Sequence, residues 1–356
     1  MGVKGTQAKP TVRLRRSDCS GPGLSRRRRG RGFQYLDGDG APIDDPEVLE
    51  RIAELVIPPA WKDVWICPYP GGHIQATGID AAGRKQYLYH PRWRARRDQE
   101  KFDEMLDFAA ALPRLRKHVV KDLRRGDFGR EHVLACAIRL LDRGFFRVGS
   151  EEYAVDNESY GLATIHKRHA SLRGDVITFD YPSKSGKRRI RSVVDPEVAV
   201  VVKRLKARRG GGPELLAFLN GRRWQDVRSN DINEYVKVAT GHDFSAKDFR
   251  TWNATVLAAV ALAVTEPVAG TKTGRKRAIV RAVSEVAHYL GNTPAVARAS
   301  YIDPRVFERY EDGTTIHGVL TEMGESLEET AIQGPIEEAV VDLIGDQRSP
   351  ALEKAA

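Results

Sequence analysis

Apolar residues recur every three or four positions at Ile279, Val280, Val283, Val286, Ala287 and Leu290, a spacing that places them along one face of a helix. Gly291 follows, a residue suited to closing a helix. Thr293 then reads as an N-cap and Pro294 as the first position of a second, short helix, which carries Tyr301 towards Asp303 and Pro304. Asn292 therefore sits in a tight turn between two helices, nine positions before Tyr301.

The same period predicts helices over 93–112, 115–123, 131–141, 196–209, 213–219 and 229–240. Another is opened by a capping box of Ser245 and Asp248 and runs through Val264. Elsewhere the pattern shortens to a period of two. Strands are expected over 64–67, 73–80 and 85–89, with Gly83 as a turn residue, alongside a short helix within 43–55. Residues 176–179 and 189–193 read as a β-hairpin, its tip at 181–187 being rich in turn formers. The fold class is thus α+β. A small β-rich domain over 33–112 precedes a mainly helical domain over 113–320 that carries the hairpin. Residues 1–32 hold almost no apolar side chains and are expected to be a disordered basic tail. A basic loop is expected over 265–277 and an acidic tail over 321–356.

Composition narrows the class. The hydrophobic fraction of 41% is ordinary, and no apolar run approaches the roughly 18 residues of a membrane span. No apolar core follows the basic N-terminus, so no signal peptide is expected. Cys19, Cys67 and Cys136 are too few and too scattered for a disulfide framework or a zinc site, and a reducing, cytoplasmic location is expected. The net charge is +10, unevenly spread: ten Lys/Arg against one Asp in residues 1–32, two against nine acids in 321–356, and a surplus of eight positive charges between. Such a body suits a polyanion partner, or is simply a solvated basic surface.

Candidate chemistry decides between these. In β-strand alternation Lys85, Tyr87 and Tyr89 share one face and Gln86 and Leu88 the other, an arrangement suited to a nucleic-acid backbone. Arg147, set in Phe145-Phe146-Arg147-Val148-Gly149, is expected to be partly buried and to need an anion, either Glu151 or a substrate phosphate. Lys184 lies at the hairpin tip. Arg250 lies early in the long helix, on the face expected to carry Trp252 or Asn253. Singly, each has an ordinary structural reading; a tyrosine near a helix end usually only packs.

As an ordered set they resemble the type IB DNA topoisomerases of bacterial and poxviral kind. Arg84-Lys85-Gln86-Tyr87-Leu88-Tyr89 is similar to the family's DNA-gripping strand, and Phe146-Arg147-Val148-Gly149 to its first arginine motif. Ser183-Lys184-Ser185-Gly186-Lys187 resembles its hairpin lysine and Lys247-Asp248-Phe249-Arg250-Thr251-Trp252 its second arginine. Ser300-Tyr301-Ile302-Asp303-Pro304 resembles its nucleophile motif, and Tyr160-Gly161-Leu162-Ala163-Thr164 with Lys167 adds to the likeness. Together the motifs span about residues 60–310.

The resemblance implies that Tyr301 attacks a phosphodiester, forming a 3′-phosphotyrosyl link and freeing a 5′-hydroxyl. Arg147 and Arg250 then stabilise the transition state and Lys184 protonates the departing oxygen. Arg84, Lys85, Gln86, Tyr87, Tyr89, Tyr153 and Lys167 contact DNA. Neither metal nor other cofactor is implied, and the expected state is a monomer clamped around duplex DNA in the nucleoid. Two positions depart from the commoner pattern: Asn292 stands where many relatives have histidine, and Ser183 where glycine is frequent. Asparagine can donate a hydrogen bond to a phosphate oxygen but cannot carry a proton, so its expected role is transition-state binding alone. Two other readings remain open: a tyrosine recombinase, which shares the Asn292-to-Tyr301 spacing but carries a helical arm domain, and a non-catalytic basic DNA-binding protein.

Overall fold

The computed structural model describes residues 13–151, 154, 158–265, 271–323, 332–345 and 353–354. The chain divides into two units, Met1–Lys101 and Phe102–Ala356. The division falls at residue 101 rather than at 112.

The first unit contains β1 (Leu24–Arg29), β2 (Gly32–Leu36), α1 (Pro46–Glu54), β3 (Lys62–Ile66), β4 (Ile74–Ile79) and β5 (Lys85–Tyr89). The strands form one antiparallel sheet in the order β2-β1-β3-β4-β5. Asp45 caps α1 by accepting the Glu47 N–H at 2.9 Å, and Ile52 on its inner face packs with Ile57, Val64, Ile66 and Ala76.

The expectation of a disordered tail fails from Arg13 onward. The Arg26–Arg29 run lies in β1, paired with β2 through a turn at Gly30. Arginine stems are apolar, and here they are used as such: the Arg26 guanidinium sits 4.1 Å from the Phe33 ring centroid and donates to the Ile57, Pro58 and Trp61 carbonyls. Arg15 lies 3.0 Å from the Tyr69 ring centroid. Charge and composition took these residues for part of a disordered tail.

The second unit is mainly helical. It takes in most of α2 (Pro91–Leu123), then α3 (Arg130–Gly144), a three-stranded antiparallel sheet of β6 (Ala170–Arg173), β7 (Val176–Ser183) and β8 (Lys187–Val194), and α4 (Pro196–Ala207). A hairpin of β9 (Ala217–Asn220) and β10 (Arg223–Asp226) follows, then α5 (Ser229–Thr240), α6 (Ala246–Thr265), α7 (Lys272–Leu290), α8 (Pro294–Ser300) and α9 (Pro304–Glu311). The chain continues through β11 (Thr314–Thr315), α10 (His317–Met323) and α11 (Glu337–Gly345), and β12 (Glu353–Lys354) pairs with β11.

Four expectations are corrected. Residues 93–123 form one helix, not two; Leu112 and Leu115, both buried on either side of Pro113, hold it together against the roughly 3 kcal/mol that an interior proline costs. Residues 217–226 form a hairpin where a helix over 213–219 was expected, because Gly221-Arg222 makes a two-residue loop closed by the Asn220–Arg223 pair, and Gly221 at φ +63° supplies the positive φ its first position needs. Residues 272–277, expected to be part of a basic loop, open α7 under a Thr271 cap. Last, α11 is no tail: Ile336, Ala339, Val340, Leu343 and Ile344 are buried in the main core. Glu337 accepts the Trp252 indole N–H at 2.8 Å, and Arg116 forks onto both Glu337 and Asp142.

Candidate active site

Five of the residues singled out in the sequence meet around one junction, where the ends of α3, α7 and α8 approach the start of α6. The path of each begins with its backbone. Phe145 closes α3 in the left-handed region at φ +54°, an uncommon conformation for an aromatic residue, and its carbonyl accepts from Arg250 Nη1 at 2.7 Å. Four positions on, Gly149 takes φ +81° against Gly161, where a Cβ on either would lie under 3 Å from the other's backbone. That approach lets Leu162 N–H reach the Arg147 carbonyl at 2.8 Å and fixes the arginine.

Arg147 donates to the Gly291 carbonyl at 3.3 Å and to Asn292 Oδ1. Glu151, the alternative anion considered from sequence, instead accepts from the Ser229 N–H at 2.8 Å and hydroxyl at 3.1 Å at the start of α5. Arg250, 4% exposed, donates to the Phe145 and Leu290 carbonyls and, at 3.4 Å, to Asn292 Oδ1. Its Nε is buried and has no partner among the described residues. Burial, reinforced by the neighbouring Arg147 charge, pushes its pKa down to about 10, which still leaves it cationic at neutral pH. Trp252 and Asn253 do not share its pocket face: Trp252 reaches Glu337, and Asn253 donates to the Asp142 carbonyl at 2.9 Å.

Gly291 closes α7 at φ +62° and the Asn292 N–H returns to Ala287 O at 3.0 Å, so the predicted tight turn is present. The amide orientation follows from its partners: two guanidiniums can only donate, so the oxygen must face them. The amide oxygen accepts from both arginines, which leaves the donation to phosphate expected of this side chain to its NH2 group.

Tyr301 caps α8, whose N-cap is Thr293, and its N–H bonds Ala297 O at 3.0 Å. The next two residues anchor it. Ile302 and Asp303 are fully buried, the Asp303 N–H bonds Thr255 Oγ1 at 3.1 Å, and the Asp303 carboxylate caps α9 and grips Arg305. The Tyr301 ring centroid lies 5.3 Å from the Arg250 guanidinium carbon. Lys184 sits in the three-residue turn between β7 and β8. A cavity of about 310 Å³ is lined by Arg147, Lys184, Lys247, Arg250 and Tyr301, and among the described residues no carboxylate lines it. Lys247 was not singled out in the sequence. Its signal was present, since it precedes Arg250 by one helical turn and so shares its face.

The remaining predicted residues are elsewhere. β5 is an edge strand whose alternation is as expected: Tyr87 and Tyr89 are both 41% exposed, their rings near-parallel at 6.2 Å, with Lys85 Nζ 5.9 Å from the Tyr87 centroid. Arg84 and Gln86 both bond Asp80, at 3.0 and 2.9 Å. Lys167 lies in a short turn in the field of Arg208, Asp226 and Glu214 and does not line the cavity; burial, first, and Arg208 lower its pKa. Tyr153 lies outside the described residues.

Comparison with known proteins agrees with this geometry. Residues 90–325 match the family model of the eukaryotic DNA topoisomerase I catalytic core, and residues 32–80 that of the bacterial DNA topoisomerase IB N-terminal domain. The chain is 31% identical over 298 residues to DNA topoisomerase 1B of Acanthamoeba polyphaga mimivirus, covering 82% of this chain and 88% of the relative. It is 20% identical over 273 residues to DNA topoisomerase 1B of vaccinia virus, covering 76% and 84%. The chain belongs to the type IB DNA topoisomerase family. It is an enzyme, and DNA is the substrate that membership implies. No helix among the described residues is long and apolar enough to cross a membrane.

Proposed function

We propose that this enzyme relaxes supercoiled duplex DNA by cutting one strand through a 3′-phosphotyrosyl intermediate and resealing it, with neither ATP nor metal ion. The observation that carries the reading is the single cavity in which Tyr301 shares walls with Arg147, Arg250 and Lys184. Free tyrosine has a pKa near 10 and is a weak nucleophile at neutral pH, so its attack needs stabilisation of the charge that gathers on phosphorus-bound oxygens. Two guanidiniums fixed by backbone carbonyls supply that charge without reorganising, an effect whose loss costs about 10² to 10³ in rate per donor.

In the cleavage step the Tyr301 Oη–P bond forms and the P–O5′ bond breaks. Lys184 gives a proton to O5′, and the phenolic proton passes to solvent. Religation is the reverse, and because the phosphotyrosine conserves the bond energy no nucleotide is consumed. Two arginines crowded around one neutral amide repel each other at neutral pH, and a phosphate relieves that; substrate binding and site electrostatics thus point the same way. The exposed Lys85, Tyr87 and Tyr89 face, with Arg84, Gln86, Tyr153 and Lys167, completes a mostly backbone-directed grip by a monomer clamped around duplex DNA in the nucleoid. The test is relaxation of negatively supercoiled plasmid in EDTA without ATP. Wild type relaxes it and Tyr301→Phe does not; equal activity of the two, or none in either, rejects the proposed nucleophile.

A further inference from the structure

The C-terminal turn of α7 holds more than the two arginines of the cleavage pocket. Four consecutive carbonyls, from His288 to Gly291, accept from four guanidiniums. Arg147 takes Gly291 O, Arg250 takes Leu290 O, and Arg189 and Arg191 both take Tyr289 O, with Arg191 also reaching His288 O at 3.3 Å. These are the carbonyls that a helix end leaves without intrahelical partners, and the helix dipole makes them the negative pole. The Arg191 guanidinium carbon also lies 5.7 Å from the Tyr289 ring centroid. Gly291 fits the crowding: a Cβ there would fall 1.7 Å from Arg189 Nη1.

Arg189 and Arg191 lie on β8, and β8 is half of the Lys184 hairpin. Arg189 pairs with Tyr181 and Arg191 with Phe179, two and four rungs below the Ser183–Lys187 pair that closes the turn. Both alternate to one face, with Ile190 between them 52% exposed. The hairpin is therefore tied at its stem to the helix end that leads, through Asn292, to Tyr301. Nothing in the proposed chemistry accounts for this pair of contacts.

We propose that Arg189 and Arg191 are positioning residues: they latch the hairpin to the α7 C-terminus, so that the proton donor Lys184 and the nucleophile Tyr301 are carried on one rigid frame. The inference rests on Lys184 being the proton donor. Losing the latch leaves Lys184 present but misplaced, and the step that suffers is protonation of the leaving O5′, not attack at phosphorus.

The test uses the full chain and single-turnover cleavage of two duplexes, one with the ordinary 5′ oxygen at the scissile bond and one with sulfur in its place. A thiolate is a far weaker base than an alkoxide and leaves without being protonated. Arg189→Ala/Arg191→Ala should cleave the oxygen substrate about 10²-fold more slowly, the usual scale of general acid catalysis, and the sulfur substrate within a few-fold of wild type. Arg189→Lys/Arg191→Lys, which keeps donors for the carbonyls, should recover most of the oxygen rate and covers the case in which the double alanine variant does not fold. Equal losses on both substrates, or none on either, overturn the latch. Lys184→Ala run alongside separates the two failures. If it too loses equally on both substrates, the assignment of Lys184 is wrong and the latch falls with it. If sulfur rescues Lys184→Ala and not the latch variants, the latch alone is refuted.

Discussion

Asn292→Asp should move stability and activity in opposite directions, because one atom changes in the middle of the two-arginine socket. Asn292 Oδ1 already accepts from Arg147 and, at 3.4 Å, from Arg250. A carboxylate in that position interacts with each guanidinium by about 4 kcal/mol at an effective dielectric of about 20. Withdrawing it from water costs several kcal/mol, leaving a net gain on the order of 1 to 3 kcal/mol. For a unit of this size that raises Tm by about 2 to 4 °C per kcal/mol. The same carboxylate occupies the charge that a phosphate needs. Cleavage should fall at least as far as on losing one oxyanion donor, about 10² to 10³. Thermal unfolding and single-turnover cleavage of a suicide duplex read the two effects. A variant that cleaves within a few-fold of wild type, or one that unfolds earlier, refutes the view that the socket is the phosphate site.

Arg116→Met should lose about 3 to 5 kcal/mol of stability and unfold at lower temperature, since it takes the shared guanidinium away from the buried Asp142 carboxylate and from Glu337; at a permissive temperature cleavage should be near normal. His169 is held neutral, its pKa pushed down to about 4 by burial, His166 and Arg168. The unfolded chain therefore binds a proton that the folded chain refuses between about pH 6.5 and 4, so the stability contributed by this site is complete above pH 6.5 and is lost as pH falls through that window. His169→Gln should flatten the acid side of a Tm-versus-pH curve. Lys85→Ala should leave Tm unchanged and reduce the slope of log affinity for duplex DNA against log salt by about one unit, as measured by fluorescence titration.

The site was legible because its residues sit at element boundaries that local sequence dictates. Thr293-Pro294 starts α8 and Gly291 ends α7, so the Asn292 turn needed no tertiary knowledge. The capping box of Ser245 and Asp248 likewise fixed the start of α6, with Ser245 N–H to Asp248 Oδ2 at 2.7 Å. What escaped depends on partners far away in the chain. Nothing local in Arg26–Arg29 indicates that Phe33 and three carbonyls will receive one of those side chains, so composition read a strand as a tail. The charges around α11 hid five buried apolar residues for the same reason. The hairpin at β9 and β10 was a different failure, in which helical spacing was preferred over the Gly221-Arg222 turn. The contacts of the β8 arginines carried no sequence signal, since their acceptors are backbone carbonyls.

The account stands or falls on the bond between Tyr301 and DNA. Wild-type enzyme reacting with a suicide duplex, stopped with denaturant, digested with protease and nuclease and sequenced by mass spectrometry, should yield the peptide containing Tyr301 carrying a nucleotide through its 3′ phosphate. A link to another residue, or to a 5′ phosphate, contradicts it.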